Sequence, residues 1–138
     1  MVAYSFKAMF APMIVARWKR QTVRANRKRH ARPGEALQLY VGLRTRQCRK
    51  ILQPDPICTA VTPIEIAVSA IIGIANIEID GRLLTADEIE EFAIADGFAP
   101  EHFDDGSASP ARDAMGEFWL ANYGAVNFAG VVIKWRVS

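Results

Sequence analysis

From Ile57 to Ile79 the chain is dominated by isoleucine, valine and threonine, and this run constrains the fold more than any other stretch. β-Branched side chains lose χ1 freedom in a helix and fit a pleated surface, so the run predicts strand. Pro63 interrupts it, which allows two strands or one long bent strand over 57–72. Residues 74–79 alternate less strictly and close at Asp80-Gly81, a hairpin signal. The most apolar window, Ile66 to Ile77, is bounded by Glu65 and Glu78. It falls short of the about twenty apolar residues that a bilayer span needs, so it reads as core with no membrane partner.

The flanking segments supply the other elements. Tyr4 to Phe10 alternates in part and predicts a first strand; 11–18 predicts a short helix, with Pro12 suited to its first turn. The stretch 24–32 has no apolar period and stops at Pro33-Gly34, so it reads as a solvated loop or arm. Leu37, Leu39 and Val41 share one face of a strand over 35–42, while 44–53 is ambiguous. Thr85 and Glu88 form a capping box that opens a helix running to Asp96, with Gly97 placed to end it. A loop over 98–110, a second helix over 110–123 and a last strand over 128–135 complete the order. Strands that follow one another directly favour an α+β fold with a curled, mostly antiparallel sheet. A chain of 138 residues without a linker reads as one domain, 1–138.

Charge divides the chain. Residues 1–54 carry 13 basic groups and one acid, a net of +12; residues 55–138 carry 4 basic groups and 14 acids, a net of −10. A one-sided field of this kind attracts polyanions, so RNA or a nucleotide is the expected partner and DNA an admissible one. A protein partner for the basic arm, or head-to-tail association with the chain's own acidic half, is the remaining alternative. Cys48 and Cys58, without an export signal, read as reduced cytoplasmic thiols. Their spacing, and that of His30 and His102, completes no metal-ligand set, so neither metal nor cofactor is expected.

Two stretches then carry a resemblance. Ile14 to Arg24 contains Lys19, Thr22 and Arg24, and is followed by Pro33-Gly34-Glu35 leading into a strand. Asp96-Gly97-Phe98 and the closing strand 128–135 match at the other end. Together they resemble the ASCH family, whose PUA-like fold is a small β-barrel flanked by helices. The Arg/Lys insert 24–32 and the Arg/Cys-rich piece 44–51 depart from the family pattern. The resemblance implies RNA or modified-nucleotide binding in a cleft beside the barrel. It also implies, as alternatives, an amidohydrolase deacetylating N4-acetylcytidine-type nucleosides, or a ribonuclease.

In the hydrolase reading Lys19 would be the base, Thr22 its partner and Asp96 the orienting acid, carried over from the family. Glu91 would be the fallback acid. A lysine that is desolvated or close to other cations loses its proton more readily, and Arg17, Arg20 and Arg24 are the candidate cations. In the binding reading Lys19, Arg20, Thr22 and Arg24 line the pocket, and Arg27, Lys28, Arg29 and Arg32 hold the flanking backbone. Trp18, Tyr40 and Phe98 are candidates to stack on a base. Trp119 and Trp135 sit in apolar periodic segments and read as core.

Overall fold

The structure, a computed structural model, describes residues 2–100 and 110–137. The aromatic alternation near the N-terminus forms β1 (Val2–Phe6), with Val2, Tyr4 and Phe6 buried. A 3-10 turn over Ala8–Phe10 leads into α1 (Ala11–Val15), where Pro12 lies in the first turn and its missing N–H has no partner to lose. The helix stops short of Trp18. Arg17 turns left-handed at φ 70°, and the amides of Trp18 and Lys19 both donate to Met13 O. β2 (Gln21–Ala25) follows at once, a strand that the sequence pattern does not announce.

β3 (Leu37–Val41) follows the basic loop, and the ambiguous stretch contains only the two-residue β4 (Arg49–Lys50). The β-branched run becomes one strand of 13 residues, β5 (Ile57–Ser69), which passes through Pro63. It can do so because its neighbour β6 (Gly73–Ile79) begins to pair only at Ile64, leaving Pro63 beyond that ladder. Asp80 and Gly81, at φ 52° and 82°, form the hairpin to β7 (Arg82–Leu83).

The capping box is present at the start of α2 (Ala86–Ala93). Thr85 Oγ1 accepts from the Glu88 amide at 3.2 Å, and Glu88 Oε1 accepts from the Thr85 amide at 3.0 Å. A π-type turn over Ile94–Phe98 ends the helix, with Gly97 in the left-handed region at φ 104°. α3 (Ala111–Tyr123) and β8 (Asn127–Arg136) complete the chain. Most of the loop expected over 98–110, with His102, lies outside the described residues.

The strands form two open sheets, ordered β1-β3-β4 and β2-β8-β5-β6-β7. The larger is antiparallel, whereas β1 and β3 run parallel. Among the described residues a single isolated β-bridge, Ala36 with Ile57, joins the two sheets. The fold is therefore mixed α+β, and the expected PUA-like barrel with a curled sheet is corrected to two sheets that do not close. β1 pairs with β3 alone, and arginine side chains, not a further strand, meet its other carbonyls: Arg24 Nη2 donates to Ser5 O at 2.7 Å, and Arg27 Nη2 to Ala3 O at 3.4 Å. α3 crosses the larger sheet at β6, where a Cβ on Gly116 would come within 3.0 Å of Gly73 Cα, so the two glycines permit the approach.

Candidate functional site

Among the described residues four polar or charged ones are buried: Lys19, Gln21, Thr22 and Asp96. They meet at one place. The left-handed turn at Arg17 delivers Lys19 inward, and the first two residues of β2 carry Gln21 and Thr22 beside it. Asp96 arrives from the π-type turn after α2. Lys19 Nζ donates to the backbone carbonyl of Asp96 at 2.6 Å and lies 3.5 Å from its Oδ1. Gln21 Nε2 donates to the same Oδ1 at 3.2 Å. Gly97 makes room for this packing: a Cβ there would meet Lys19 Cδ at 3.2 Å and Phe10 Cδ1 at 3.3 Å.

Burial drives both members of the pair toward neutrality. Desolvation pushes the Lys19 ammonium below its ordinary value against the attraction of Asp96, and Arg24 adds to the lowering. Desolvation raises the Asp96 carboxyl against the pull of Lys19 and the Gln21 hydrogen bond. Arg24 also loses hydration and is lowered by burial, but it is heavily engaged. Its Nε donates to Thr22 Oγ1 at 3.0 Å, and its guanidinium lies over the rings of Phe6 at 4.6 Å and Tyr4 at 5.4 Å.

These groups, Gln21 excepted, help to line a cavity of about 250 Å3. Lys19, Thr22, Arg24 and Asp96, the positions singled out through the resemblance, all line it. The rest of the lining is largely aromatic: Phe98, Phe118, Trp119 and Tyr123, with Phe10 and Phe128. Phe98 and Phe118 centroids are 5.4 Å apart, and Trp119 lies 4.8 Å from Tyr123 and 4.9 Å from Phe128. Tyr123 is exposed at the rim. Of the expected stacking residues, Phe98 lines the cavity, whereas Trp18 is exposed and Tyr40 half-buried, both outside the lining. Trp119, read from the sequence as core, is buried and lines the cavity as well.

The remaining basic residues separate. Arg20 is exposed outside the cavity lining. The loop 26–32 is less free than a solvated arm. Tyr4 Oη accepts from the Ala31 amide at 3.1 Å; the Ala25 carbonyl can only accept, so His30 Nε2 donates to it at 2.8 Å, and Nδ1 of the neutral ring then accepts from Tyr4 Oη at 2.9 Å. Glu35 holds the loop's far end through Arg29 and the Arg32 amide. Arg27 lies over Tyr4, while Lys28 and Arg32 are exposed. Glu91, the fallback acid, is also exposed and does not line the cavity.

The hydrolase expectation loses the support of the barrel from which it came. No group of histidine, cysteine and carboxylate side chains among the described residues is arranged to hold a metal ion. Searches against family models, curated proteins and solved structures found no match to this chain.

Proposed function

We propose that the protein binds RNA, or a modified nucleotide, by taking a base into the aromatic cavity. The observation that carries this reading is the convergence of three of the buried polar side chains, Lys19, Thr22 and Asp96, with Arg24, on a cavity whose remaining lining is largely aromatic. Buried polar groups are costly unless they are paired, so a cluster facing open space is suited to a ligand with both a π face and hydrogen-bonding edges. A nucleobase has both. Asp96 can accept from an exocyclic amine, Lys19 and Arg24 can donate to carbonyl or ring acceptors, and the ring can stack on Tyr123 or Phe118. The cationic N-terminal part of the chain supplies the sequence-independent attraction for phosphate.

Tyr123→Ala tests this reading with little disturbance to the core, because the ring is exposed at the rim. Binding of a fluorescently labelled single-stranded RNA hexamer of mixed sequence is followed by anisotropy. Loss of one stacking partner is expected to weaken binding by about 1–3 kcal/mol. An affinity unchanged by Tyr123→Ala, in a protein that melts like the wild type, would refute the cavity as the base site.

A further inference from the structure

The cavity is too small for a whole nucleotide, and this directs attention to what adjoins it. At about 250 Å3 it falls below the roughly 300–1,000 Å3 of sites that enclose drug-sized ligands, so it accepts one ring system and leaves sugar and phosphate outside. A second, wider cleft of about 580 Å3 runs along the outer edge of β1. Ser5 and Arg24 line both spaces, so Arg24 stands in the partition between them. The cleft is otherwise lined by Arg27, Arg29, Arg44 and the edge of β1, and no acid is among its described lining residues.

The cations of this cleft are not equivalent. Arg29 is paired with Glu35. Arg24, Arg27 and Arg44 have no carboxylate within ion-pair distance among the described residues. Two of them are held in place. Arg24 is fixed by Ser5 O, and Arg27 by the Arg29 carbonyl at 3.0 Å and the Tyr4 ring at 4.5 Å. Arg44 is exposed at the turn that Ser5 Oγ secures by accepting from the Leu43 amide at 3.1 Å. Fixed guanidinium groups without carboxylate partners are suited to phosphate oxygens.

We propose that the β1-edge cleft is a phosphate trough continuous with the cavity, and that the ligand is a single-stranded oligonucleotide. One base enters the cavity, Arg24 marks the crossing, and the flanking phosphodiesters lie on Arg27 and Arg44. The inference rests on the base-binding reading of the cavity, but it selects a strand over a free nucleoside or mononucleotide.

The test compares wild type, Arg27→Ala/Arg44→Ala and Tyr123→Ala, using the same RNA hexamer at several salt concentrations. Single-strand binding loses about 0.7 in the slope of log K against log salt for each phosphate contact, so the double variant should lower the slope by about 1.4. Tyr123→Ala should weaken binding and leave the slope as it was. An unchanged slope in the double variant, with affinity still lost in Tyr123→Ala, would overturn the trough and leave the cavity reading standing. A reduced slope with no effect of Tyr123→Ala, or no binding by the wild type, would overturn both.

Discussion

The Lys19–Asp96 pair is the feature on which the site depends, and it places a specific demand on stability. Both side chains are almost fully excluded from water, so each tolerates burial through its partner and through the hydrogen bonds to Asp96 O and from Gln21. Removing one member leaves the other buried and uncompensated. Lys19→Met or Asp96→Asn alone is expected to cost about 3–5 kcal/mol, and the double variant clearly less than the sum. Urea unfolding of the four proteins measures this, and strictly additive costs would show that the two residues do not act as a pair. Lys19, Thr22 and Arg24 were singled out because they sit together in one short motif, and β2, which the sequence pattern does not announce, places Thr22 and Arg24 on one face. Gln21 was not legible, because its importance comes from Asp96, 75 residues away along the chain. The aromatic wall was hidden for the same reason: Phe118, Trp119 and Tyr123 lie on a helix whose ring residues serve equally well as core, and only the tertiary fold turns them toward Lys19.

At the scale of elements, the two longer helices are started by different means. α2 carries its own signal. Thr85 and Glu88 are three residues apart, and Glu88 is also held by Arg82, Nη1 to Oε1 at 3.0 Å and Nη2 to Oε2 at 2.9 Å. The Arg82 guanidinium, with help from the Thr85 amide, lowers the Glu88 carboxyl to about 2. A carboxyl lowered on folding stabilises the protein above its unfolded-state value, and that contribution is lost as pH falls through the folded-state value. The melting temperatures of wild type and Glu88→Gln should therefore differ most above about pH 5 and converge toward about pH 2. A gap that does not depend on pH would mean that the carboxylate charge has no part in it. α3 has no such local signal. Its first amides, Ala111 and Arg112, donate to the two oxygens of Glu90 at 2.9 and 2.8 Å. That cap is contributed by α2, so a pattern read along the chain finds the helix and misses what begins it.

At the scale of the molecule, local alternation identified strands but could not specify their partners. β1 was expected in a closing sheet, yet it pairs with β3 in parallel, and its outer carbonyls accept from Arg24 and Arg27. Barrel closure is a property of those pairings, and the residues that meet the outer edge of β1 belong to the stretch that read as a basic arm. The same arginines then line the cleft that adjoins the cavity. The most direct test of the account is a titration of the isotopically labelled protein with the RNA hexamer, followed by amide chemical shifts. The account predicts the largest changes at Lys19 to Ala25, Asp96 to Phe98 and Phe118 to Phe128, around the cavity. Changes confined to the exposed loop 26–32, with the cavity amides unmoved, would contradict it.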